Sequence, residues 1–249
     1  MMPNNSIRIQ GHEPFIHKIQ GYFKYVESHE REVLTSFLSP VEVRLIEQMK
    51  PKYIEIQSFG GYPNAQRQVV CINSTPEFYF DIVCLHAKLN TRHKIITHRD
   101  VLGTLLGLGL KRDVMGDFLI IEQDLYIFVK EKIAQYIIDH CTLIANVGVS
   151  FAIFDQEVEY DVPKKELIIP SASLRMDCVV SKLAHCSRSK ATEMIRKGFV
   201  KLNDVVLEEN KQLCNNDYVS IRKIGRFQFI EVKSINKKNR LILRFDQFI

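Results

Sequence analysis

The chain changes its hydrophobic period several times, and each change marks an element. Phe15, Ile16, Ile19, Phe23 and Val26 recur at helical spacing, and Val33, Leu34, Phe37 and Leu38 follow in a turn-rich stretch. Ser39-Pro40-Val41-Glu42 is a helix start: Ser39 caps, Pro40 takes the first position and Glu42 reaches back to close a capping box. That helix ends near Lys50-Pro51. Tyr53 to Phe59 alternates as a strand, Gly60-Gly61-Tyr62-Pro63 turns, and Gln68 to Ile72 returns as its partner. Residues 1–75 thus read as a helical and β-hairpin region.

Residues 76–162 read as a second domain. Phe78 to Ala87 predicts a strand and Asp100 to Leu108 a helix. Phe118 to Ile121 and Leu125 to Val129 make a hairpin around Glu122-Gln123-Asp124. Lys130 to His140 is a second helix and Val147 to Phe154 a closing strand. The order βαββαβ is the ferredoxin-like, or RRM-like, plan. It carries no RNP1 run of stacking aromatics, so the plan alone does not license RNA binding.

Residues 171–249 open with two short helices. Asp177 can cap the first, whose Val179, Val180, Leu183 and Ala184 form one apolar face. Ser187 caps the second, which buries Ala191, Met194 and Ile195 and stops at Gly198. Alternation runs through Phe199-Val200-Lys201-Leu202, Asn203-Asp204 turns, Val205 to Leu207 continues, and Tyr218 to Ile221 is the last strand. The fold class is α+β: a helical and hairpin N-terminal region, a central ferredoxin-like domain, and a C-terminal αα-β domain.

Charge changes the picture at the C-terminal end. Residues 1–170 carry 18 basic and 21 acidic side chains, whereas residues 171–249 carry 16 and 8. Arg188, Lys190, Arg196, Lys197 and Lys201 lie on or just after the second helix, and Arg222, Lys223 and Arg226 cluster after the last strand. Helical spacing puts the helix cations off the apolar face, so they can point together toward solvent. The helix N-terminus adds free N–H groups, a ready phosphate site. The plain alternative is a solvated basic face.

The remaining chemistry is thin. Six cysteines are scattered without a C-x-x-C pair, as expected of reduced thiols in the cytoplasm. Cys178, His185 and Cys186 lack the second ligand pair of a zinc site, so no metal or other cofactor is expected. No apolar run reaches the length of a membrane span. His98-Arg99-Asp100 and Asp117-Phe118 look like kinase motifs, but Leu105 stands where the catalytic-loop asparagine belongs. The glycines 103, 107 and 109 do not follow a strand and open a helix, so a dinucleotide loop fails too.

Arg175-x-Asp177, Ser187-Arg188, Ala191, Ile195-x-x-Gly198-x-Val200, Asn203, Asp217 and Ile221-Arg222 together resemble the S4 RNA-binding domain. Asp204 replaces the usual turn glycine, and Lys223 stands where a glycine often follows the arginine. Gly60-Gly61-Tyr62-Pro63-x-Ala65-x-Arg67, Thr97 through Gly103, Gly109-x-x-Arg112 and Gly116-Asp117 extend the likeness. Their order resembles the YlmH-type proteins of bacteria and the related photosystem II S4-domain proteins, from Phe37-Leu38-Ser39-Pro40 to Lys237-Lys238-x-Arg240. Gln66 stands where the family more often carries glutamate.

That resemblance implies a noncatalytic RNA-binding protein of ribosome-associated quality control. Its partners would be ribosomal RNA, the large ribosomal subunit and peptidyl-tRNA, with no membrane. The RNA-contacting residues would be Arg175, Ser187, Arg188, Lys190, Arg196, Lys197, Lys201, Asn203, Arg222, Lys223 and Arg226. Arg67, His98, Arg99, Lys111 and Arg112 form a second candidate contact. A structural role competes for Thr97 through Asp100, with Thr97 as helix cap and Asp100 in the first turn. Two other functions stay open: an RNA-modifying enzyme using the S4-type domain as a substrate handle, and a photosystem-assembly factor.

Overall fold

The computed structural model describes residues 11–73, 78–90 and 95–248. They fall into two compact units. One is Lys18–Asp161, and the other joins the residues before Lys18 to those from Val162 onward. The boundary expected at residues 75–76 lies outside the described residues. Residues 18–73 share a unit with the central sheet, where the sequence suggested a separate N-terminal region.

Helix α1 (Glu13–His29) buries the stripe Ile16, Ile19, Phe23 and Val26. The turn-rich stretch after it supplies a short strand, β1 (Val33–Leu34), and α2 (Pro40–Met49) starts with the expected capping box from Ser39 and Glu42. Strands β2 (Ile56–Phe59) and β3 (Val69–Ile72) pair antiparallel as predicted, and β1 pairs with the other side of β3. The hairpin is therefore a three-stranded sheet.

The central sheet is built from β4 (Ile82–Lys88), β5 (Met115–Ile121), β6 (Asp124–Lys130) and a fourth short strand. Helix α3 (His98–Gly107) follows β4, and α4 (Glu131–His140) follows β6. The expected closing strand is broken. It begins as a small hairpin, β7 (Leu143–Ile144) with β8 (Val147–Gly148), turned by Ala145 and Asn146 at positive φ. Only β9 (Ala152–Ile153) then joins the sheet, giving the order β5-β6-β4-β9 expected of a βαββαβ plan. Leu85, Ala87, Leu125, Ile127 and Val129 alternate toward Val101 and Leu105 of α3 and Ala134 and Ile137 of α4.

The other face of this sheet is covered as well. Leu119 and Phe128 pack with Phe37, Tyr62, Ala65 and Val69 from the preceding segment. Two glycines permit that closeness. A Cβ on Gly116 would sit 2.7 Å from the Phe37 ring, and one on Gly61 2.2 Å from the Phe128 ring.

In the other unit a six-stranded antiparallel sheet has the order β10-β15-β14-β13-β11-β12. Its strands are β10 (Lys164–Ser171), β11 (Val200–Leu202), β12 (Val205–Val206), β13 (Tyr218–Ile221), β14 (Gly225–Ile235) and β15 (Leu241–Phe248). Helices α5 (Met176–Leu183) and α6 (Arg188–Arg196) lie against one face. Met176, Val179, Val180, Leu183, Ala191 and Ile195 share a core with Val219, Ile221, Phe227, Phe229 and Phe245. Each fully buried phenylalanine there contributes roughly 1.5–3 kcal/mol by removal from water. The sequence reading passed over Lys164–Ser171 and placed no element after Ile221, so the long strands β10, β14 and β15 were not expected. No helix among the described residues is long and apolar enough to cross a membrane.

Candidate nucleic-acid interface

Ser187 sits at the N-cap of α6 and accepts a hydrogen bond from the Lys190 N–H at 3.2 Å. The cap expected of Asp177 on α5 is not made. Arg175 holds that N-cap position without a side-chain capping bond, and Asp177 lies just inside the helix, buried. Its carboxylate instead accepts Arg188 Nε at 2.6 Å and Arg175 Nε at 3.2 Å. Burial alone would raise this carboxyl, but hydrogen bonds with Arg175, Asn210 and Arg188 outweigh it and hold the group well below the usual carboxylate range.

Glu193 repeats the arrangement in the open. It takes Lys197 Nζ at 2.7 Å and Lys190 Nζ at 3.0 Å, and those bonds hold its carboxyl down at about 2. Two carboxylates thus hold four cations, each of which stays more than half exposed. Arg196 is exposed beside them, with no ion pair among the described residues. The sequence suggested free cations. The structure gives anchored ones, still in excess over the acids that anchor them. Such a group can take phosphate oxygens without first ordering its side chains.

The remaining predicted residues do not join this face. Lys201 lies opposite Ser220, and Ser220 opposite Arg226, across β11, β13 and β14. Their strand neighbours Val200, Leu202, Val219, Ile221 and Phe227 point into the core under the helices. Alternation therefore turns Lys201 and Arg226 to the far side of the sheet. Arg226 is tied to Asp204 at 3.3 Å and lies over the Tyr218 ring at 4.8 Å. Arg222 covers the Phe199 ring at 5.2 Å, and Lys223 stands exposed at the β13–β14 turn. The single cationic face expected from the sequence is two faces.

Asn203 also leaves the contact set. It is buried, its amide donating to Asp217 at 2.8 Å and its side-chain oxygen accepting from the Tyr218 N–H at 2.9 Å. The Asn203-Asp204 turn itself forms as predicted, with φ of 52° and 64°. That is the left-handed pair a tight hairpin requires.

The second candidate contact divides in the same way. Arg67 donates to the carbonyls of Phe37, Met115 and Arg112, at 2.8, 3.1 and 3.3 Å. Arg112 donates to the carbonyls of Met115 and Gly116, at 3.1 and 2.8 Å. Burial, with Arg67 adding like charge, lowers the Arg112 guanidinium to about 10. Asp117 closes the group, accepting the Tyr62 hydroxyl at 2.9 Å and the Gln66 N–H at 2.6 Å. The motif residues around Arg67, Arg112 and Asp117 are a structural clamp, which corrects the expectation for both arginines. His98, Arg99 and Lys111 remain exposed. Thr97 and Asp100 form a capping box on α3, the structural role weighed for them.

Sequence reasoning missed Glu193 as a shared anchor, although its i,i+3 and i,i+4 spacing to Lys190 and Lys197 signals it. It also left out of the contact list Lys182 and Arg240, the latter named only in the Lys237-Lys238-x-Arg240 motif, which line one cleft with Arg188. Nothing local places them together, because Arg240 reaches the cleft only through the β14–β15 hairpin. Among the described residues no three His, Cys, Asp or Glu side chains converge to hold a metal ion.

Comparison with known proteins agrees with this architecture. A family model described as "Putative RNA-binding domain in YlmH" matches residues 76–157. The chain is 26% identical over 242 residues to the ribosome-associated protein quality control protein P2 of Bacillus subtilis (strain 168), with 94% of each chain covered. The solved structure titled cell division protein ylmH from Streptococcus pneumoniae matches with a TM-score of 0.52 at 24% identity. That match covers 61% of this chain and 94% of the other, and is a likeness of fold.

Proposed function

From the similarity to YlmH-type RNA-binding proteins along nearly the whole chain, we propose that this protein binds structured RNA on the ribosome, in the quality control of stalled nascent chains. It does so without catalysis. The observation that carries the reading is the anchored cation group on α5 and α6, where Asp177 and Glu193 hold Arg175, Arg188, Lys190 and Lys197 outward. Ribosomal RNA of the large subunit and the backbone of the bound peptidyl-tRNA are the targets. Shape and phosphates are read rather than base edges, because the major groove of A-form RNA is too narrow for side chains. Lys201, Arg222 and Arg226, on the far face of the sheet, contribute less.

Arg188→Glu is a poor test, because it would place a carboxylate against buried Asp177. Lys190→Glu with Arg196→Glu alters the same face at exposed positions. On a sucrose gradient the wild-type protein should travel with large ribosomal subunits and the double variant should stay at the top. A variant that still travels with the subunits would overturn the reading.

A further inference from the structure

A cleft of about 320 Å³ opens beside the α5–α6 turn. Its lining includes three cations, Lys182, Arg188 and Arg240, and no carboxylate. They come from three places in the fold: the last turn of α5, the first residue of α6, and the β14–β15 turn. Two of them are held in position by the chain itself. Arg188 is fixed by Asp177 at 2.6 Å. The Asn236 side chain accepts the backbone N–H groups of Lys238 and Arg240, both at 3.0 Å, which sets the turn that carries Arg240. Lys182 and Arg240 are exposed and make no ion pair among the described residues.

The walls between these cations are small: Pro170 and Ala172, the thiols of Cys178 and Cys186, and three serine hydroxyls. The first N–H groups of α6 have no acceptor within the helix and add donors at the cleft's edge. A concave site with convergent positive charge, mixed apolar and hydroxyl walls and no carboxylate in its lining is suited to a phosphate that carries a compact organic group.

We propose that this cleft receives one nucleotide of the bound RNA, its phosphate on Lys182, Arg188 and Arg240 and its ribose or base against Pro170 and the two thiols. The inference rests on the RNA-binding reading above and extends it to residues outside the α6 face. It makes Arg240, contributed by the long hairpin, part of the RNA site.

The full-length protein and salt-washed large ribosomal subunits provide the test. Lys182→Ala with Arg240→Ala should weaken binding by about tenfold and reduce the salt dependence by roughly one phosphate. In parallel, alkylation of Cys186 by N-ethylmaleimide, followed by peptide mass spectrometry, should slow when subunits are bound. Inorganic phosphate or adenosine monophosphate at millimolar concentration should have little effect. Unchanged binding by the Lys182/Arg240 variant, with Cys186 unprotected, would overturn the proposal. If the Lys190/Arg196 variant then still lost binding, the RNA reading would survive without the cleft. If it bound normally as well, both would fall. Protection by adenosine monophosphate but not by subunits would identify a free-nucleotide site and equally overturn the proposal.

Discussion

Arg188 and Arg67 are the same residue type in motifs of similar standing, yet the fold uses them in opposite ways. Arg188 meets its carboxylate through one nitrogen and leaves most of its side chain in solvent. Arg67 turns Nε and Nη2 onto three main-chain carbonyls, where it ties the Phe37 and Arg112 segments together. An arginine beside an acid can stay a ligand for something else. One beside carbonyls is already structure. The difference lies in the acceptors that the fold places nearby, and a motif cannot show it.

The largest expected effect comes from breaking the structural member. Arg67→Ala takes the donor from the Phe37 carbonyl and one of two donors from the Met115 and Arg112 carbonyls, and should lower stability by about 3 kcal/mol, read from the urea midpoint. RNA affinity per folded molecule should not change; a loss would mean that Arg67 contacts RNA after all. The other side of the comparison is sharpened by Lys190→Glu with Arg196→Glu. Affinity should fall about a hundredfold in moderate salt, with the urea midpoint nearly unmoved. For the wild type, about five neutralised phosphates should cost two to three decades of affinity between roughly 50 and 200 mM salt.

Asp177→Asn tests the link between anchor and ligand, and should cost about 2 kcal/mol of stability. The folded carboxyl lies below its ordinary value. Its contribution is therefore complete above the unfolded-chain value of about 3.9 and is lost as pH falls below it. The wild type should lose this increment on acidification and Asp177→Asn should not, so the two stability curves converge at low pH. Curves that stay parallel would remove Asp177 as the anchor. The smallest effect is expected from Lys201→Glu with Arg222→Glu, less than about threefold on affinity. A larger loss would move the interface to the far face of the sheet.

Elements whose signals are local were legible in the sequence. The capping boxes at Ser39 and Thr97, the α6 cap at Ser187 and the Asn203-Asp204 turn each depend on residues within a few positions. Strand β10 was not legible, because its partner β15 begins seventy residues further on and the Lys164–Ser171 run shows no alternation of its own. The structure regroups the cations that the sequence placed together. Lys201 and Arg226 belong with the helix cations only until the strand register is known. Asp177 looked like a cap because Arg188, eleven positions away, cannot be seen as its partner along the chain.

Among the described residues the six-stranded sheet is open, with two border strands that could recruit strands from other molecules. One border, β10, carries Lys164, Lys165 and Glu166 at one end and Pro170 near the other, and the opposite border, β12, is only two residues long. Charge, a missing N–H and shortness each discourage further pairing. The long hairpin can therefore be held out toward a crowded surface without inviting the unit to polymerise.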